Sequence, residues 1–184
     1  MTASRFAALM TVLCLIVARA QADEPTRAAK NATAREVLAK TDTDLLKALE
    51  SAQKQVPDGK PLAVRVEKDA GKSRFGAYFL SDDKIKEIEI DAASGDMLKN
   101  KEASDDTMLI QAKKAVAEAK VSLPQAIKIG MEQVKGSKAF EAELRLEGGK
   151  PVVEVELLVD DKTVKVHVDA MDPTRVKIRE PNKD

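Results

Sequence analysis

What this chain lacks narrows its chemistry first. It has one cysteine, one histidine and no tryptophan, and aromatic residues make up 3% of its 184 positions. Zinc sites draw on several Cys or His ligands, so that chemistry is excluded. Nucleophilic catalysis needs a Ser, Cys or Lys beside a base, and the lone His167 sits among charges in an alternating segment. Its expected state is a solvated strand histidine. Few rings are available to stack on bases or sugars. Lys+Arg and Asp+Glu each number 31, and this neutrality leaves no basic field for nucleic acid. No phosphate-cradling glycine loop and no EF-hand spacing occurs. The composition therefore points away from an enzyme, and no cofactor or metal is expected.

Long apolar runs are also scarce. The one present, Phe6–Ala18, is shorter than the roughly 20 residues that span a bilayer. Met1–Arg5 before it is short and positive, and Ala20-Gln21-Ala22 after it has the small–x–small form of a signal cleavage site. Residues 1–22 are expected to be a signal peptide, with a mature start at Asp23 and export to the periplasm or beyond. Cys14 lies inside the run, between Leu13 and Leu15, where lipidation does not occur. Cleavage removes it, so no disulfide can form in the mature chain. No later segment is apolar enough to insert into a membrane.

What the chain does have is internal similarity. Displaced by 78 residues, Leu45 falls on Leu123, Ala48 on Ala126, Gln55 on Gln133 and Val56 on Val134. Gly71-Lys72 falls on Gly149-Lys150, Asp82-Asp83-Lys84 on Asp160-Asp161-Lys162, and Asp91-Ala92 on Asp169-Ala170. Apolar positions match as well: Leu49 with Ile127, Val66 with Leu144, Phe79 with Leu157, Ile88 with Val166. This is the pattern of a tandem duplication.

Each copy begins with 3.6-residue periodicity. Ser122 followed by Gln125 forms a capping box, with Pro124 in the first turn, and opens a helix over 123–134. Asp44 opens its counterpart over 45–56, which Pro57-Asp58-Gly59 ends. Longer helices over 28–39 and 105–119 precede them. The stripe Leu109, Ala112, Val116 and Ala119 is expected to be core. The period then changes to two. Phe140 to Glu147, Val153 to Leu157 and Val164 to Val168 alternate apolar with charged residues, as half-buried antiparallel strands do. A short fourth strand spans about 175–179. Copy one repeats this over 61–68, 73–80, 84–91 and 96–99. The expected class is α+β: two tandem α-α-β-β-β-β repeats, 23–102 and 103–184, each an antiparallel sheet with helices packed on one face.

In the second copy the elements read SLPQAIKIGMEQVKG, GGKPVVEVELL and VKVHVDAMDPTRV. The first copy reads DLLKALESAQKQVPDG, GKSRFGAYFL and IKEIEIDAASGDML. This short helix, hairpin and "vDa" strand resemble the PepSY family, the second copy more closely. The second copy departs at Asp172-Pro173, where the family usually has a glycine; the first keeps it as Gly95. PepSY units occur in propeptides of thermolysin-like metalloproteases and in small envelope proteins. The resemblance thus implies a non-enzymatic exported protein that binds or regulates another envelope protein, such as a peptidase. A structural or ion-sensing module, with Asp82, Asp83, Asp91, Ser94 and Asp96 supplying oxygen ligands, is the alternative; the same residues also suit turns.

A contact surface follows from strand alternation, which fixes the side chains that point away from the helices. Arg145, Glu154 and His167 are expected to form one cross-strand row, and Glu143, Glu156 and Lys165 the next.

Overall fold

The computed structural model describes residues 27–103, 106–160 and 162–179; the signal-peptide reading of 1–22 lies outside them. The chain runs α1 (Arg27–Lys40), α2 (Leu45–Gln53), β1 (Lys60–Asp69), β2 (Lys72–Ser81), β3 (Lys84–Asp91), β4 (Met97–Ala103), α3 (Asp106–Glu118), α4 (Leu123–Gln133), β5 (Lys138–Glu147), β6 (Lys150–Val159), β7 (Lys162–Asp169) and β8 (Val176–Arg179). The first three strands of each half share their boundaries at the same 78-residue offset. A β-bulge interrupts β1 between Pro61 and Ala63 and β5 between Ala139 and Glu141, again equivalent positions.

Local chemistry accounts for the element ends. The Ser122 hydroxyl accepts from the Gln125 amide while the Gln125 side chain accepts from the Ser122 N–H, closing the capping box of α4. Asp44 caps α2 by accepting from Lys47 N at 2.8 Å. The β5–β6 hairpin turns on Gly148 and Gly149, both at positive φ (59° and 80°). That is the two-residue turn whose twist matches the flanking strands. Ala70 (φ 48°) and Gly71 (φ 82°) make the equivalent β1–β2 turn, with a non-glycine residue in the left-handed region.

Two features differ from the sequence-based expectation. First, there is one sheet. All eight strands form an antiparallel sheet of order β4-β3-β2-β1-β5-β6-β7-β8. The halves join where β1 pairs β5 through Ala63–Glu143, Val64–Ala142 and Arg65–Glu141. Val64 and Ala142 are fully buried there. Strand alternation specifies which face is apolar but not which edges meet.

Second, the helices do not share one face. α2 and α4 cover the inner face, where Leu45, Leu49, Leu123 and Ile127 pack with Phe79, Ile88, Leu157 and Val166. Gly130 lets α4 approach closely: a Cβ there would stand 3.3 Å from Val155 carbons. α3 instead joins Leu62, Tyr78, Leu80 and Ile85 through Leu109, Ala112 and Val116. Those sheet residues alternate with the inner-facing Ala77, Phe79 and Ile88, so α3 lies on the outer side of the sheet, across the β1–β5 seam and against β5 and β6 as well as β1 and β2. Its Lys113 reaches Asp83 at 2.8 Å.

α1 crosses the seam in the same way, against β1, β5 and β6. Ala34 and Leu38 pack on Phe140 with Leu158 and Val66, and Lys30 approaches Glu141 at 3.7 Å. Because β1 and β5 pair over so short a stretch, they part on either side of it. α1 bridges Val66 and Phe140 at one opening, and α3 spans Leu62 and Leu144 at the other. Val66 and Leu144 are accordingly half-buried, where Leu49 and Ile127, Phe79 and Leu157, and Ile88 and Val166 are buried.

Candidate functional site

The outer face of the C-terminal half carries the residues singled out by alternation, but in a shifted register. Across β5, β6 and β7 one row is Glu143, Glu154 and His167; the next is Glu141, Glu156 and Lys165. The expected pairings Glu154–His167 and Glu156–Lys165 are present. Arg145 instead stands opposite Val152. The two-residue Gly148-Gly149 turn pairs Glu147 with Lys150, and this sets β5 relative to β6. Arg145 still reaches Glu154 on the diagonal, Nη2 to Oε2 at 2.7 Å.

This face is not the solvated charge display that the pattern suggests. His167 is 5% exposed and Glu156 7%, whereas Glu143 is exposed. Glu154 is the hub. Its Oε1 receives Lys165 Nζ at 2.7 Å, and its Oε2 is shared between Arg145 and His167 Nε2, the latter at 2.8 Å. The histidine nitrogen lies close to this oxygen without making a hydrogen bond to it. Lys165 also bonds Glu156. On the other side of the ring, His167 Nδ1 meets Glu147 Oε2 at 3.1 Å, and Arg179 Nη2 holds Glu147 Oε1 at 3.0 Å.

Proton affinities follow this geometry. Burial alone would raise the Glu154 carboxyl, but hydrogen bonding and attraction from Lys165, Arg145 and His167 outweigh it and hold the group below its ordinary range. Lys165 is pushed up because Glu154 and Glu156 outweigh its burial. Glu141, at the seam, goes the other way: burial raises it, and Lys30 offsets this only in part.

The N-terminal half builds a different network at the equivalent place. Arg74 sits among Glu67, Asp69 and Glu89 at 3.1, 2.9 and 2.8 Å. Arg65 donates to the Tyr78 hydroxyl at 2.9 Å and lies over its ring. Burial, the largest influence on Tyr78, pushes its hydroxyl up to about 12.

Sequence reasoning missed Glu147, Lys177 and Arg179. The signal was present: in Val176-Lys177-Ile178-Arg179, alternation puts Lys177 and Arg179 on one face. They continue the two rows, Lys177 opposite His167 and Arg179 opposite Lys165. Asp91 makes a turn, its Oδ1 accepting from the Ala93 and Ser94 amides, each at 2.9 Å. Among the described residues no group of three or more metal-ligating side chains is placed to hold an ion. No helix among them is long and apolar enough to cross a membrane.

Comparison with known proteins matches part of this framework. A search of the curated proteins finds no match. A solved structure from Clostridium difficile 630, described as a "putative lipoprotein", is similar over 72% of this chain and 90% of its own. It is 17% identical, with a TM-score of 0.43. The family model for the peptidase propeptide and YPEB domain, PepSY, matches residues 120–172, from the approach to α4 through β7. The similarity to the PepSY family thus lies within the C-terminal half of the chain, at residues 120–172.

Proposed function

We propose that this chain is an exported, non-enzymatic protein of two PepSY-like units, 23–102 and 103–184, that binds and restrains another envelope protein, a peptidase first among them. The PepSY match at 120–172 carries this reading, since that family is described by its presence in peptidase propeptides. The state of His167 supports it. The chain's one histidine is buried and bracketed by Glu147 and Glu154, an arrangement that immobilises an imidazole.

The proposed contact surface is the outer face bearing Glu143, Arg145, Glu154, Glu156, Lys165 and His167. Most charges inside this network satisfy one another, so it serves as a rigid platform and its rim meets the partner.

The test is capture from periplasmic extract on immobilised chain 23–184, followed by assay of any retained peptidase. The expected result is retention of a peptidase whose activity falls as the chain is added. Failure to retain any protein, together with a calcium-dependent rise in melting temperature, would instead support an ion-sensing module. Export is tested separately by N-terminal sequencing: Asp23 is expected, and a start still at Met1 would end the periplasmic reading.

A further inference from the structure

The two halves treat their last strands differently, and the difference points to a ligand. In the N-terminal half each β4 cation faces a carboxylate on β3. Lys99 pairs with Glu89 at 3.5 Å and Lys101 with Glu87 at 3.0 Å. In the C-terminal half the equivalent β8 cations face basic residues on β7, Lys177 opposite His167 and Arg179 opposite Lys165. Arg179 and Lys165 are like charges directly across the strand pair, which is unfavourable, and Lys177 has no carboxylate opposite it. Arg179 finds Glu147 around the hairpin, but Lys177 and Lys150 make no ion pair among the described residues.

The space beside them is also different. Arg74 fills the outer face of β2, reaching three carboxylates, whereas its counterpart on β6 is Val152. Next to that short side chain is a groove of about 550 Å³ in which the cations Lys150, Arg175, Lys177 and Arg179 outnumber the carboxylates Glu147 and Asp169. β8 is also the free edge of the sheet, so one side of its main chain is unpaired within the sheet. Ile178, on the opposite face of that edge, is 51% exposed.

We infer that the β8 edge binds an extended acidic segment of a partner protein. The segment adds as a ninth strand, with a carboxylate turned to Lys177 and the adjacent apolar residues turned to Ile178. Main-chain pairing supplies affinity and the alternation supplies specificity. This inference rests on the binding-protein reading above and names the chemistry of the partner.

The test uses fluorescence anisotropy with a short labelled peptide alternating Glu and Val, titrated with chain 23–184. The Glu-Val peptide should bind at least about tenfold tighter than its Lys-Val counterpart, and binding should weaken with salt, as exposed charge attraction does. Lys177→Glu should lose at least about tenfold in affinity. Lys177→Arg should retain binding, as should Lys99→Glu at the equivalent position of the other half. Unchanged melting of Lys177→Glu shows that the fold is intact. Equal binding of the Lys-Val peptide, or full affinity in Lys177→Glu, would overturn the inference. Undiminished binding of a peptide with N-methylated backbone would overturn the strand-addition geometry. A peptidase captured equally by wild type and Lys177→Glu would sink the edge site while leaving the binding-protein reading intact. Peptide binding lost in Lys177→Glu, with no envelope protein captured, would do the reverse.

Discussion

Phe140→Ala tests whether the two halves are one folding unit. Phe140 belongs to the C-terminal half but packs against Ala34 and Leu38 of α1, and it is 2% exposed. Removing a buried ring forfeits roughly 1.5–3 kcal/mol of transfer free energy. The cavity left behind brings typical losses to about 3–5 kcal/mol. Half-buried Val66 and Leu158 line this site and can relax into the space, so a cost of about 3 kcal/mol is expected, at the low end of that range. Urea unfolding followed by circular dichroism gives the magnitude. Hydrogen exchange gives the location: amides of α1 should lose protection before those of β6 and β7. A double-mutant cycle with Leu38→Ala should show coupling above about 0.5 kcal/mol, as touching residues do. A cost under about 1 kcal/mol, or unchanged α1 protection, would refute the bridging of the halves by α1. Two separate unfolding transitions in the wild type would refute it as well.

Glu154→Gln removes the hub of the outer network and leaves Lys165, Arg145 and His167 with weaker compensation. A loss of about 1–3 kcal/mol is expected by chemical denaturation, whereas Glu143→Gln, exposed and outside the network, should stay within about 0.5 kcal/mol. Because Glu154 and Glu147 are held below the ordinary carboxylate value of 4.5, their stabilisation is complete above that value and is lost as pH falls through their folded-state values. Glu141, raised by burial, has the opposite sign, its contribution being lost as pH rises above 4.5. Melting temperature should therefore drop from pH 5 toward pH 3, and the drop should be shallower in Glu154→Gln; an unaltered slope would contradict the network. Ala70→Asn places a residue that tolerates the left-handed region before Gly71, and calorimetry should show stabilisation of up to about 1 kcal/mol. Ser122→Ala opens the α4 capping box and should cost about 1 kcal/mol.

The sequence alone determined the local units of this protein. Ser122 with Gln125, Asp44, and the Gly71 and Gly149 turns are signals whose partners lie within a few residues, so helix starts and hairpins were legible without the fold. Period-two alternation likewise marked Val153, Val155, Leu157, Val166 and Val168 as core, because a strand has only two faces. The matched positions 78 residues apart made each half a reading of the other. Three things depended on tertiary structure. The joining of β1 to β5 rests on contacts at that 78-residue separation, through main-chain groups that carry no residue-specific signal. The placement of α1 and α3 across the seam follows from the short pairing at Val64–Ala142, which leaves openings on either side for a helix to bridge. The burial of His167 rests on Glu147 reaching it from β5, whereas the register of Arg145 hinged on a local two-residue turn. Alternation could name the outward-facing charges, but whether they meet water or one another is a property of the assembled sheet.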